Sequence, residues 1–139
     1  MMNRVVKTQA EWKAQLTPEQ FRITRQKKTE PAFSSPYWDC HDEGTYSCIC
    51  CGNSLFSSED KFDSKTGWPS FTRPIRDDAV AYRTDICMLI RRTEVLCVAC
   101  DAHLGHVFDD GPGPAGKRYC INGTALLAVL ASDDTQVNI

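Results

Sequence analysis

The chain has 139 residues, 42% of them hydrophobic and 24% charged, with a formal net charge of −2. That length suits one domain with one core, and no apolar run approaches the roughly 20 residues of a membrane helix. The mild acidity excludes the broad basic face that a nucleic-acid binder needs. The opening stretch, Met1 to Lys7, has no apolar segment of the secretory kind, so the chain reads as a cytoplasmic protein with reduced thiols.

The first elements in chain order are helical. Thr8 and Glu11 form a candidate capping box, followed by Trp12 and Leu16 at helical spacing. Thr17-Pro18-Glu19-Gln20 is a second start signal with proline at the first helical position, and Phe21 and Ile23 follow it as core candidates. The polar stretch from Gln26 to Pro31 reads as a crossing segment. From Tyr37 onward short apolar runs alternate with Gly, Pro, Asp and Ser. Strands are expected over Thr45 to Cys48, Ala79 to Arg83, Met88 to Cys97, His106 to Phe108, Arg118 to Ile121 and Ala125 to Leu130. Asp109 to Pro114 reads as a rigid turn. Ser132 to Ile139 is polar and reads as a flexible tail. The expected fold is mainly β and antiparallel, behind short N-terminal helices, in a single domain over 1–139 with its core near 17–127.

Eight cysteines in so short a chain need an explanation. Cys48-x-x-Cys51 and Cys97-x-x-Cys100 have the spacing of a structural zinc site, in which each knuckle turns two sulfurs toward one ion. Four sulfur ligands close the coordination sphere, so such a site stabilises and does not catalyse. Cys50 competes with Cys51 as a ligand. Gly52 favours Cys51, because glycine after the second cysteine permits the tight turn. Four structural disulfides are the rival reading.

Cys120 stands apart. By composition alone it reads as a buried structural thiol. Its neighbours suggest more: on a strand, Arg118, Cys120 and Asn122 share one face, which places a cation, a nucleophile and an amide in one row. His103 and His106 are two of the three histidines, and with four cysteines already satisfying one ion, proton transfer is their natural use. His41 reads as a solvated loop residue. Gly67-Trp68-Pro69-Ser70-Phe71 presents two rings stiffly. Trp68 and Phe71 are either core or the wall of a site for an apolar group.

Taken together, these motifs resemble the B-type methionine sulfoxide reductases, which act on the R epimer. The matching text also includes Lys61-Phe62-Asp63-Ser64, Arg92-x-Glu94-Val95, His103-Leu104-Gly105-His106-Val107-Phe108, Asp110-Gly111-Pro112 and Arg118-Tyr119-Cys120-Ile121-Asn122, and the likeness runs from about Thr17 to Leu127. The resemblance implies two antiparallel sheets tied by zinc. It implies that the Cys120 thiolate attacks the sulfoxide sulfur, that His103 and His106 serve the oxygen, and that Trp68 packs on the substrate methyl group. Asn122 and Arg118 would orient the site. Cys120 would become a sulfenic acid, then part of a disulfide that thioredoxin reduces.

Two positions depart from the commonest family pattern. Thr66 stands where many members carry the resolving cysteine, and Met88 aligns with a third active-site histidine. Cys40, Cys87 and Cys50 are the replacement resolvers, with Cys40 favoured for its loop. Cys87 reads as part of an apolar strand and Cys50 is constrained by the knuckle. A one-cysteine cycle with an external reductant is the alternative. A non-catalytic zinc-ribbon interaction module is the rival function, with Trp68 and Phe71 as its contact patch. A zinc-ribbon nucleic-acid binder is a third. The Arg118-x-Cys120-x-Asn122 row beside His103 and His106 discriminates against both, since neither needs it.

Overall fold

Nine strands form in the computed structural model, which describes residues 4–130. The tail expected over 132–139 lies outside the described residues. Helix α1 (Gln9–Gln15) starts at Thr8 with the reciprocal capping box to Glu11, and α2 (Pro18–Gln26) starts at Thr17 with the same device to Gln20. Each box satisfies two backbone donors at a helix start. Lys27 ends α2 in the left-handed region, the usual geometry for a helix stop. Trp12, Leu16 and Ile23 are buried and seat both helices on the body.

Strands β1 (Gly44–Cys48), β2 (Ser54–Ser57) and β9 (Leu126–Leu130) form one antiparallel sheet in the order β2-β1-β9. The remaining strands are β3 (Lys61–Phe62), β4 (Ser70–Phe71), β5 (Val80–Cys87), β6 (Ile90–Cys97), β7 (His103–Phe108) and β8 (Arg118–Ile121). They form the second sheet in the order β3-β4-β8-β7-β6-β5. Aromatic rings from both sheets meet in the core. Phe56 of β2 stacks on Phe71 of β4 at 4.4 Å, and Tyr46 of β1 meets Phe71 edge-on at 5.3 Å. These rings supply large apolar area at the joint, with favourable geometry added.

The expected antiparallel β domain behind short helices is what forms. Several boundaries differ. Met88 does not begin a strand: Met88 and Leu89 are the two turn residues between β5 and β6, both with positive φ. That geometry closes a tight hairpin whose twist suits the flanking strands, and it normally selects Asn or Gly. The extended reading of Met88 fails because nothing in its apolar side chain announces the turn. Cys87 is exposed at the same tip and is not core. The short strands β2, β3 and β4 had no signal of their own, being too brief to show alternation.

Leu89 is 97% exposed, so its side chain contributes little packing to offset the left-handed backbone. Leu89→Gly is expected to raise the unfolding free energy by about 0.5–1 kcal/mol, because glycine adopts that region without the steric cost. A urea melt compared with the parent chain measures it.

Candidate active site and metal centre

Strand β8 lies between β4 and β7, and its register decides which side chains meet. Cys120 is paired with Ser70 on one side and with His106 on the other, and His106 is paired in turn with Glu94 of β6. Directly opposed residues in adjacent antiparallel strands project from the same face. A thiol, an imidazole and a carboxylate thus fall in one row across the sheet. The register depends on Gly105. A Cβ there would lie 2.1 Å from the Cys120 carbonyl oxygen, so any side chain would force β7 and β8 apart.

A cavity of about 130 Å³ opens over this row. Cys120, His106 and Asn122 line it, with Trp68, Phe108 and Ile121 as apolar walls and Arg92, Thr29 and Gly105 completing it. Trp68 is held in place because its indole Nε1–H donates to the Glu30 carbonyl at 3.0 Å. The Asn122 amide is held at both ends: its Nδ2 donates to the Leu104 carbonyl at 3.1 Å, and its Oδ1 accepts from the Glu30 backbone N–H at 2.9 Å. Phe71 is not part of the wall. It is fully buried between the sheets, because it follows Ser70 and alternation turns it to the opposite face.

The two histidines reach the same neighbourhood through a bulge. Residues three apart on a regular strand point to opposite faces. Here Val95 pairs with Gly105 but Leu96 pairs with His103, so Leu104 is an extra residue in β7. The inserted residue restores the face, and the two rings lie 5.5 Å apart. His103 sits behind His106, is 2% exposed and does not line the cavity. Its Nδ1 is 2.7 Å from Oε2 of the fully buried Glu94, and Lys27 Nζ approaches Oε1 of the same carboxylate at 3.2 Å. Burial holds the His103 pKa below the ordinary value despite the raising effect of Glu94, so the ring is mostly neutral at neutral pH. His106 Nε2 lies 2.8 Å from Asp85 Oδ2, and Arg92 Nε donates to the other Asp85 oxygen at 3.2 Å. Burial works to raise the Asp85 carboxyl, but His106 and Arg92 together outweigh it and hold it below the usual range.

Two opposed effects act on the Cys120 thiol. Burial raises its pKa, and the Arg118 guanidinium lowers it, with a smaller lowering from the Thr66 hydroxyl. Burial wins, so Arg118 by itself does not make the resting group a thiolate. Arg118 is also committed elsewhere. It forks onto Asp110 at 2.8 and 3.2 Å, and its guanidinium lies 4.5 Å over the Phe108 ring.

Away from this cavity, the sulfurs of Cys48, Cys51, Cys97 and Cys100 all lie within 4.8 Å of one another. The first knuckle joins β1 to β2 and the second joins β6 to β7, so the cluster bridges the two sheets. The knuckles match in backbone form. Gly52 and Asp101 each follow the second cysteine with positive φ, and each N–H returns to the carbonyl of the first cysteine, at 2.8 and 2.9 Å. Cross-knuckle sulfurs lie 3.5 Å (Cys51 to Cys97) and 3.7 Å (Cys48 to Cys100) apart. A tetrahedral ion with metal–sulfur bonds of about 2.3 Å needs sulfurs about 3.8 Å apart, so the donor set fits a metal. Asn53 Nδ2 and Arg25 Nη2 point at Cys97 and Cys100, each at 3.6 Å from the sulfur, which suits charged thiolates. Cys50 is buried beside the cluster but is not among the four.

Residues 16–129 match the SelR domain. The chain belongs to the SelR family. Among its relatives is the peptide methionine sulfoxide reductase MsrB of Acinetobacter baylyi, 54% identical over 125 residues that make up 90% of each chain. The protein of the same name from Acinetobacter baumannii is 53% identical over 90% of each chain. That of Hahella chejuensis is 49% identical over 135 residues, 97% of each. For this SelR domain, the cavity holds Cys120, His106, Asn122 and Trp68 together, with Arg118 and His103 one contact removed.

Residues that sequence reading passed over also shape the site. Arg92 and Glu94 stood in the matched text without a role, and Asp85, Glu30 and Phe108 had none. Arg92 and Glu94 share a strand face, which is a usable signal once the strand is assigned. Asp85 and Glu30 act across long sequence separations and leave no local trace.

The balance at Cys120 yields a measurement. Alkylation of Cys120 by iodoacetamide, followed in its own peptide by mass spectrometry, is expected to rise about tenfold between pH 7 and pH 8 and to continue rising past pH 9. Arg118→Ala should move the rise to still higher pH. A plateau below pH 8 would show a thiol already ionised at rest.

Proposed function

We propose that the chain reduces methionine-R-sulfoxide, chiefly in proteins or peptides, through Cys120. The observation that carries this reading is a thiol set in the wall of an aromatic-lined cavity, directly across from an imidazole, in a member of the SelR family. The cavity has room for one unbranched side chain and little more, which favours an exposed methionine sulfoxide over a bulkier group. Trp68 and Phe108 receive the methyl end of that side chain. The polar oxygen is directed toward His106, whose ring is held in orientation by Asp85 at its Nε2.

In the reaction, the Cys120 sulfur attacks the sulfoxide sulfur as His106 delivers a proton to the sulfoxide oxygen, and the imidazole so freed takes up the proton that Cys120 gives up. His103, neutral and anchored by Glu94, holds the second ring in place. The hydroxyl then passes to the Cys120 sulfur as the sulfur–oxygen and sulfur–sulfur bonds to the substrate sulfur break, freeing the thioether. Net, one thiol and one sulfoxide become one sulfenic acid and one thioether, with no proton gained or lost. A second thiol condenses with the sulfenic acid to a disulfide and releases water, and the two thiols of a dithiol reductant then reduce that disulfide, leaving the reductant as a disulfide. Thioredoxin or another dithiol fits this role, which places the chain in a reducing compartment such as the cytoplasm. We take it to work as a monomer of a single domain. Among the described residues, no helix is long and apolar enough to cross a membrane.

Thr66 occupies the place near Cys120 where a resolving thiol would be expected. Cys40, half-buried in the loop before β1, remains the candidate resolver, and exposed Cys87 remains the second. The metal is assigned as zinc, whose closed four-sulfur geometry would cross-link the sheets and leave no position for substrate. A non-catalytic interaction module gives no reason for the cavity around Cys120.

With resolved epimers and dithiothreitol, the R epimer is expected to be turned over and the S epimer left nearly untouched. Cys120→Ser should cut the rate by more than a hundredfold with folding intact, because serine is a far weaker nucleophile. Equal turnover of both epimers would defeat the assignment. Mass spectrometry after one turnover without reductant then identifies the thiol joined to Cys120, expected to be Cys40. Metal analysis should give one zinc per chain, and Cys97→Ser should lose both the metal and the cooperative unfolding transition.

A further inference from the structure

Glu30 precedes Pro31, which confines its backbone to extended conformations. The residue is 1% exposed, a rare situation for a carboxylate without a cation. Among the described residues no lysine, arginine or histidine pairs with it. Its partners are instead neutral donors 93 and 94 residues downstream. Oε2 accepts from the Gly123 N–H at 2.9 Å, and Oε1 accepts from the Thr124 N–H at 2.8 Å and the Thr124 hydroxyl at 2.7 Å. The main chain of the same residue holds two cavity walls. Its carbonyl accepts from the Trp68 indole, and its N–H donates to the Asn122 side chain. One buried residue thus ties together the aromatic wall, the amide beside Cys120 and the turn that follows β8.

We infer that Glu30 is a positioning residue for sulfoxide binding, fixing Trp68 and the Asn122–Thr124 turn relative to Cys120. The inference rests on the reductase reading above. An apolar residue would serve packing at lower desolvation cost, but it would leave the Gly123 and Thr124 donors without partners. An amide would serve them badly. A carboxylate is acceptor-only at both oxygens, whereas glutamine turns one end into a donor that would face an N–H. The charge also acts against ionisation of the Cys120 thiol, so its presence has no rationale as an activator of the nucleophile. Its geometry accounts for it.

The test uses Glu30→Gln, with Thr124→Val as a milder second variant that removes only the hydroxyl donor. Steady-state KM and kcat are measured on the R-sulfoxide of a methionine-containing peptide, alongside circular dichroism and metal content. Glu30→Gln is expected to lower kcat/KM at least tenfold, with KM raised, while metal content and fold persist. Thr124→Val is expected to raise KM about threefold. In a double-mutant cycle, Trp68→Phe combined with Glu30→Gln should lose less than the product of the two single losses, since phenylalanine has already abandoned the Glu30 carbonyl. Unchanged KM in a folded Glu30→Gln chain, or losses that simply multiply, overturns the inference. If Glu30→Gln does not fold, unchanged KM in Thr124→Val overturns it. Inactivity of the parent chain on the sulfoxide overturns the reductase reading as well, so the two failures are distinguishable.

Discussion

Everything at the site depends on the register of β8. With Cys120 opposite both Ser70 and His106, the thiol projects from the face that carries the imidazole and opens to the cavity. A slip by one residue would turn Cys120 toward the core and bring Tyr119 or Ile121 outward. That register is held from three directions. Gly105 lets the backbones of β7 and β8 approach, the Glu30 carboxylate anchors the turn after β8, and the Tyr119 hydroxyl meets that of Tyr82 at 2.7 Å. Side-chain chemistry at this site follows from backbone alignment.

Sulfur cluster and cavity occupy separate places. The sulfur cluster joins the hairpin of the small sheet to one of the large sheet, whereas the cavity lies over β7 and β8. The two are nevertheless mechanically linked, because β7 begins just after the second knuckle. The bulge that brings His103 round to the His106 face lies at Leu104, three residues after Asp101. Arg25 extends the link to the helices: it donates to the Cys100 carbonyl and lies 4.4 Å over the Trp12 ring. Helix α2 therefore reads the position of the second knuckle directly.

Much of this was legible in the sequence, for reasons that differ by feature. The capping box at Thr8 and the start signal at Thr17 are local patterns, and local patterns survive into the fold. The two knuckles are legible because the spacing itself encodes the turn. Strand alternation alone suggests a row of Arg118, Cys120 and Asn122, of which Cys120 and Asn122 line the cavity. Other features were hidden because their cause is not local. Phe71 looked like a partner of Trp68, but one peptide step separates the cavity face from the core face. The hairpin at Met88 and Leu89 carries no turn residue, so the strand pairing around it imposes the backbone. The bulge at Leu104 exists only relative to β6. Glu30 looked like part of a polar crossing segment, and its burial becomes visible only once the residues around Gly123 and Thr124 are in place.

That last separation has a consequence for assembly. Strand β1 finds β2 after a short loop, and β5 finds β6 through a two-residue turn, so these pairings close quickly. The cavity instead unites a segment near the start of the chain with β8 and the turn beyond it. On a ribosome, Glu30 and Trp68 would emerge long before Cys120, and the second neighbour of β1 is the still later β9. The Cys120 thiol is therefore delivered into surroundings whose earlier strands have already had time to pair, and the assembled cavity is among the last features the growing chain acquires.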